Sequence, residues 1–233
     1  SASETLLRGL HAKLFSDVSD SLYFGPTWNE LFSPPKQLQE TWWITKRTEL
    51  LSLSEKSPCY VYHIPTFQKR AQELLNLSAV SRLHFAIKAN SHPRILQTFS
   101  EMGLDFECVS PEEVLHVRDN VGFDARILFT PNFAAASEYE FGYEQNCIVT
   151  LDNLFPLEHW PQIFANRSIM LRVDPGSGRG HHRHVVTAGS ESKFGVPPKD
   201  LPLVWNICDQ YNIETLFGIG GNIKSNSSSF KLL

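Results

Sequence analysis

A lysine follows a short apolar run directly in the segment HFAIKANSHP, residues 84–93. The run extends from His84 to Ile87, so the aliphatic stem of Lys88 begins within an apolar wall. Desolvation at such a position favours the neutral amine, which is a nucleophile toward a carbonyl carbon and forms a Schiff base with it. The competing interpretation is a lysine that extends from the end of a strand into solvent.

Two other segments contain residue types that could bind a ligand. RGHHRH contains His181, His182 and His184, but three histidines within four residues of a loop do not easily reach one tetrahedral ion, and no partner carboxylate motif stands out. The glycine-rich segments GSGRG (176–180) and GIGGN (218–222) lack the spacing of a nucleotide-binding loop. We therefore expect neither a metal site nor a nucleotide site.

The elements that must position Lys88 recur at an even spacing. Five apolar runs with strand character begin at His84, Asp105, Arg126, Cys147 and Ile169, which are 21, 21, 21 and 22 positions apart, and a sixth begins at Glu214. Helix-like stretches lie between the runs, for example SPEEVLHVRD, with Ser110 as its N-cap and Glu113 completing a capping box. This alternation predicts a parallel α/β sheet, and its even period favours a (β/α) barrel over a doubly wound sheet. Six strands leave a barrel of the eight-stranded class incomplete.

The residues outside this repeat predict further elements before the barrel and a loose tail after it. Residues 59–63 read as one more strand, residues 38–55 as an amphipathic helix, residues 17–37 as a linker and residues 4–15 as a short helix. We expect residues 1–16 to be the tail of a preceding domain, 17–55 a linker with its helix, 56–219 a partial barrel and 220–233 a loose tail.

Composition and charge narrow the possible classes of function. The 233 residues are 42% hydrophobic and carry a net charge of −4, which gives no basic surface for nucleic acid or a membrane. The four cysteines are widely spaced and form no CxxC pair, so we expect reduced thiols and a cytoplasmic location.

Several motifs in order carry a resemblance to a known family. The chain contains, in this order, FAIKAN followed by HP, GLDFECVSPEE, RILFTPN, LRVDPG and HVVTAGSESKFGV. These motifs resemble the fold-type III pyridoxal-phosphate decarboxylases, and the resemblance extends from about Ser57 to Leu216. The TAG…SKFGV segment is most similar to diaminopimelate decarboxylases. GLHAKLF, GPTWNELF and WWITKRTELL resemble the junction of bifunctional aspartate kinase/diaminopimelate decarboxylases. The resemblance implies an incomplete (β/α)8 TIM-type barrel, like the N-terminal domain of alanine racemase, and pyridoxal 5'-phosphate as cofactor.

The resemblance also implies roles for individual residues. Lys88 matches the lysine that holds the cofactor, Glu107 matches an acidic residue beside the cofactor, and Arg172 matches an arginine near it. The alternatives are that Glu107 only pairs with Lys88 and that Arg172 only pairs with Asp174. Four further residues match a loop that shapes the floor of the active site: Ser192, Lys193, Phe194 and Gly195.

The family pattern breaks at about Leu216. In the family this position is followed by a GLHAHxGSG-like segment, a phosphate loop, an EPGR-like segment and a C-terminal β domain. This chain has the sequence IETLFGIGGNIKSNSSSF instead. We therefore expect a truncated or frameshifted chain whose ancestral reaction is decarboxylation of meso-diaminopimelate, a small amino acid, to L-lysine and carbon dioxide. We expect no activity and no homodimer from this chain alone. The alternatives are a non-catalytic pyridoxal-phosphate-binding barrel protein and an inert gene fragment.

Overall fold

A computed structural model of the chain describes residues 42–53, 58–174, 194–219 and 230–231. The chain divides into two units between Tyr62 and His63. Several features expected from the sequence lie outside the described residues: the helix at 4–15, the linker at 17–37, the histidines at 181–184, and Ser192 and Lys193.

The first unit differs from the expected helix and strand. The helix expected over 38–55 is present as two short helices, α1 (Trp42–Thr45) and α2 (Arg47–Ser52). The strand expected at 59–63 is wrong, because these residues have no regular secondary structure. Tyr60 is 90% exposed and its ring stacks on Tyr62 with centroids 6.4 Å apart. The apolar character of this run therefore does not serve strand pairing.

The second unit is built on a sheet of seven strands. They are β1 (His84–Ala86), β2 (Asp105–Cys108), β3 (Ile127–Phe129), β4 (Ile148–Leu151), β5 (Ser168–Val173), β6 (Glu214–Ile219) and β7 (Phe230–Lys231). The order is β6-β5-β4-β3-β2-β1-β7, and β1 to β6 are all parallel, which confirms the six parallel strands expected from the spacing. The two-residue β7 pairs antiparallel with β1, where the sequence predicts only a loose tail.

Within this unit one helix precedes β1, and helices occupy the connections between successive strands from β1 to β6. They are α3 (Ile64–Leu75), α4 (Pro93–Glu101), α5 (Pro111–Asn120), α6 (Ala136–Glu144), α7 (Phe155–His159), α8 (Pro161–Phe164) and α9 (Leu201–Tyr211). The expected N-cap of α5 is confirmed, because the Ser110 hydroxyl accepts a hydrogen bond from the Glu113 N–H at 3.3 Å. The Glu113 carboxylate accepts from the Val109 N–H at 2.8 Å, one residue earlier than a standard capping box requires. No helix in the described ranges has the length and apolarity of a membrane span.

The strands place alternate residues on two faces of the sheet. One face packs against the helices in two apolar clusters, which include Phe106 and Phe129 in the first and Val149 and Leu171 in the second. Because successive residues of a strand point to opposite faces, the intervening positions lie on the other face, which we call the inner face. Parallel strands end at the same edge, so the carboxyl ends of β1 to β6 and the residues that follow them are neighbours.

Candidate active site

The inner face collects the buried polar side chains of the sheet. Apart from Thr98 on α4, the buried polar and charged residues of the described chain lie in strands or directly after them: His84, Glu107, Thr130, Thr150, Asp152 and Asp174. Burial of ionisable groups costs free energy unless other groups compensate for it. A concentration of such groups on one face of a parallel sheet, toward the carboxyl ends of the strands, is typical of an active site.

Lys88 lies directly after β1 rather than within it. The strand ends at Ala86, and a turn of 3-10 helix over Ile87–Ala89 carries the lysine, so the expected strand of five residues is shorter than predicted. Ile87 is fully buried and anchors the turn, whereas Lys88 is exposed. Among the described residues Lys88 forms no hydrogen bond or ion pair. Its amine is therefore accessible at the carboxyl end of the sheet.

Glu107 lies on the inner face of β2, beside Ala86 of β1. It is only 2% exposed. No ion pair joins it to Lys88 within the described chain, which excludes the simple pairing considered as an alternative. Its charge acts on His84 and on Arg172, although Arg172 is three strands away in the sheet. The Glu107 carboxylate therefore lies close enough to Arg172 to influence its charge.

Arg172 lies on β5, opposite Gly218 of β6. Burial lowers the pKa of its guanidinium, and the carboxylates of Asp152, Glu107 and Asp174 act in the opposite direction. None of these oxygens lies within 4 Å of an Arg172 nitrogen, so the expected alternative of a direct pair with Asp174 is wrong. Its guanidinium carbon lies 5.1 Å from the centre of the Phe194 ring.

The segment Phe194–Val196 inserts its backbone between the ends of β4 and β5. Gly195 N–H donates to the Asp152 carbonyl at 2.6 Å, Val196 N–H donates to the Arg172 carbonyl at 2.8 Å, and Asp174 N–H donates to the Val196 carbonyl at 3.0 Å. Gly195 has a φ of +88°, and a Cβ there would lie 2.9 Å from the Asp174 nitrogen. Only glycine fits this position without a shift of the backbone.

Sequence reasoning did not select the other polar residues of the inner face. Thr150 and Asp152 stand on either side of Leu151, and Arg172 and Asp174 stand on either side of Val173. A polar residue at every second position of an otherwise apolar strand is the pattern that could have identified them. The described residues contain no cluster of three or more potential metal-binding side chains.

These residues fit an anionic cofactor that carries an aldehyde. Lys88 provides an accessible primary amine, and the guanidinium of Arg172 donates no hydrogen bond to another described residue. The buried hydroxyl of Thr150 likewise has no hydrogen-bond partner in the described part of the chain. Buried donors are almost always satisfied, so an uncommitted hydroxyl on this face indicates room for a polar group.

Comparisons with known proteins agree with this geometry. The family model of the pyridoxal-binding domain of pyridoxal-dependent decarboxylases matches residues 63–231. Diaminopimelate decarboxylase of Methanothermobacter thermautotrophicus is 32% identical over 146 residues, which are 62% of this chain and 34% of that protein. Diaminopimelate decarboxylase of Escherichia coli K12 is 26% identical over 178 residues, 72% of this chain and 40% of that protein.

A solved structure shows the same fold. A crystal structure of diaminopimelate decarboxylase superposes with a TM-score of 0.67 at 25% identity, covering 84% of this chain and 45% of that one. The chain thus spans between 34% and 45% of the length of these three proteins. The matched family uses pyridoxal phosphate as its cofactor, and the match covers the whole sheet with Lys88, Glu107 and Arg172. The chain belongs to the family of pyridoxal-binding domains of the pyridoxal-dependent decarboxylases.

Proposed function

We propose that this chain is the cofactor-binding barrel of a diaminopimelate decarboxylase, whose reaction converts meso-diaminopimelate to L-lysine and carbon dioxide. The observation that carries the proposal is the inner face itself. An accessible lysine follows β1, a buried glutamate lies on the neighbouring strand β2, and a half-buried arginine lies on β5. The choice of substrate is supported by the relatives at 32% and 26% identity, both of which are diaminopimelate decarboxylases.

Lys88 holds the cofactor in this proposal. Pyridoxal phosphate, when bound, supplies an electron sink for the negative charge that carbon dioxide leaves on the α-carbon of the substrate. The exposed Lys88 amine would hold the cofactor through a covalent bond from Nζ to its aldehyde carbon, and formation of that bond would release one water molecule. The preceding residue, Ile87, is fully buried and restricts movement of the turn that carries the amine.

Glu107 and Arg172 orient the cofactor from opposite sides of the inner face. The Arg172 guanidinium offers hydrogen-bond donors and a positive charge to an anionic or carbonyl oxygen. The Glu107 carboxylate is shielded from water at 2% exposure, and hydrogen bonds that it makes there are strengthened by the low local dielectric. Paired strands fix the backbone of both residues, so no large backbone rearrangement is needed for binding.

We further propose that these 233 residues alone bind the cofactor without measurable turnover. The chain spans less than half of each of the three compared proteins, and decarboxylation depends on several positioning and electrostatic groups acting together. Loss of one such group typically costs a factor of about 10² to 10³ in rate.

A titration followed by absorbance tests the substrate class without requiring turnover. The purified chain, loaded with pyridoxal phosphate, is titrated with meso-diaminopimelate and in parallel with L-ornithine. We expect meso-diaminopimelate to change the cofactor spectrum at the lower concentration, and we expect Lys69→Ala, a change at an exposed lysine on α3, to behave like the original chain.

Two results would contradict the proposal. An equal spectral response to both amino acids would refute the assignment to diaminopimelate. Release of carbon dioxide from meso-diaminopimelate by the purified chain, abolished in Lys88→Ala, would refute the claim that the chain alone does not turn over.

A further inference from the structure

We propose that Phe194 is a positioning residue for Arg172: its ring holds the guanidinium in place over the inner face, and the backbone of Gly195–Val196 holds the ring. The inference deepens the proposed function and rests on it for the identity of the ligand. The contact between Phe194 and Arg172 is independent of the proposed function, because it can be measured in the absence of any ligand.

The surroundings of Arg172 require something other than an ion pair to fix its side chain. The guanidinium is half-buried, yet it makes no hydrogen bond and no ion pair within 4 Å to another described residue. The three carboxylates that influence its charge, on Asp152, Glu107 and Asp174, act from a greater distance. A long side chain in this condition would occupy several rotamers.

The Phe194 ring supplies that restraint. The Arg172 guanidinium carbon lies 5.1 Å from the centre of the ring, within the range of a cation–π contact. The Phe194 ring also lies near the Phe133 ring, with the two ring centroids 6.4 Å apart. A guanidinium that is held by its face keeps its N–H groups, which lie in its plane, available for an acceptor on a ligand.

The backbone fixes where the ring can be. Three main-chain hydrogen bonds tie residues 195 and 196 to Asp152, Arg172 and Asp174. One of them joins Val196 N–H to the carbonyl of Arg172 itself, so the ring and the guanidinium belong to the same local framework. The positive φ of Gly195 and its close approach to the Asp174 nitrogen make this framework intolerant of any side chain at position 195.

The experiment combines two substitutions with a matched control. Phe194→Leu removes the ring, and Gly195→Ala displaces it while leaving every side chain that contacts Arg172 unchanged. Phe123→Leu is the control, because the Arg118 guanidinium lies over the Phe123 ring at 4.8 Å in an equivalent contact elsewhere. The Nε–H resonance of Arg172 is recorded by NMR without ligand, and the Kd for pyridoxal phosphate is then measured by absorbance.

We expect Phe194→Leu and Gly195→Ala each to shift the Arg172 resonance and to raise the Kd about fivefold, on the scale of one cation–π contact. Phe123→Leu should change neither quantity, and Phe194→Tyr should restore both. In an Arg172→Lys background the effect of Phe194→Leu on the Kd should largely disappear, because the two residues act as a unit.

An Arg172 resonance that is unchanged in Phe194→Leu would overturn the proposal, as would an undiminished effect of Phe194→Leu in the Arg172→Lys background. Failure of the original chain to bind pyridoxal phosphate would instead refute the proposed function. In that case the resonance without ligand still decides whether Phe194 positions Arg172. If Gly195→Ala fails to fold, Phe194→Leu and Phe194→Tyr carry the test.

Discussion

At the scale of single residues, the buried imidazole of His84 links the stability of the sheet to pH. Burial lowers its pKa below the ordinary value of 6.5, while the carboxylates of Asp105 and Glu107 act to raise it and Arg82 acts to lower it. The unfolded chain therefore binds more protons than the folded chain once the pH falls to about 6.5 and below. The contribution of neutral His84 to stability is complete above that pH and is lost as the pH falls toward the folded pKa.

We expect the free energy of unfolding, measured with urea, to fall between pH 7.5 and pH 5.5, and we expect His84→Gln to reduce that fall. His159→Gln, at an exposed histidine on α7, is the matched control for replacement of an imidazole by glutamine. A pH dependence in His84→Gln as steep as in the original chain would show that His84 does not control it.

At the scale of elements, Arg118 on α5 joins two loops at the amino ends of the strands. Its guanidinium donates to the carbonyls of Phe123 at 2.9 Å, of Ala125 and of Gln145, which lie before β3 and before β4. Lysine has a single ammonium group on a flexible stem and cannot reproduce this planar arrangement of donors.

We therefore expect Arg118→Lys to lower the free energy of unfolding by about 1–3 kcal/mol, the cost of leaving partly buried carbonyls without donors. Urea denaturation measures this effect. Arg94→Lys, the same change at an exposed position on α4, should change stability by less than about 0.5 kcal/mol. Equal effects of the two substitutions would contradict the structural role given to Arg118.

The sequence predicts most elements of the sheet but not their ends. The run at 214–219 matches its observed bounds, because β5 pairs with all six of its residues. The run at 84–88 breaks after Ala86 because the chain turns into a 3-10 helix before Pro93 begins α4. The run at 59–63 has strand propensity but no partner, and strand formation depends on a partner more than on propensity.

The sequence predicts some residues of the candidate site but not the contacts between residues that are distant in the chain. Lys88 directly follows an apolar run, which marks it in the sequence, whereas Glu107 and Arg172 are expected from the resemblance to the decarboxylase family. The uncommitted hydroxyl of Thr150 depends on how neighbouring strands pack around it, and the contact between Phe194 and Arg172 depends on the inserted segment at 194–196. Both features involve residues far apart in sequence, so no local pattern contains them.

At the scale of the whole second unit, β6 leaves one edge of the described sheet without a neighbouring strand. Apolar side chains are exposed there: Leu216 is 44% exposed, and Phe217 is 51% exposed and stacks on Trp205 of α9 with ring centroids 5.4 Å apart. An exposed apolar edge is a template for pairing with another chain. We therefore expect this unit to be marginally stable, with fast amide exchange in β6 and α9.

Substitution of one residue at this edge should reduce self-association. Leu216→Lys places a charge on the edge strand, and Leu115→Lys, at a position on α5 that is also 44% exposed, is the matched control. We expect light scattering at increasing concentration to fall in Leu216→Lys and to stay unchanged in Leu115→Lys. Equal effects of both variants, or strong amide protection throughout β6, would show that the edge is covered.

The central claim is that Lys88 is the residue that holds pyridoxal phosphate. Borohydride reduction fixes the cofactor permanently to the lysine that holds it, and peptide mapping by mass spectrometry identifies that lysine. We predict that the reduced label lies on Lys88, that Lys88→Ala loses it, and that Lys69→Ala keeps it. Label spread over the surface lysines and unchanged in Lys88→Ala would contradict the account.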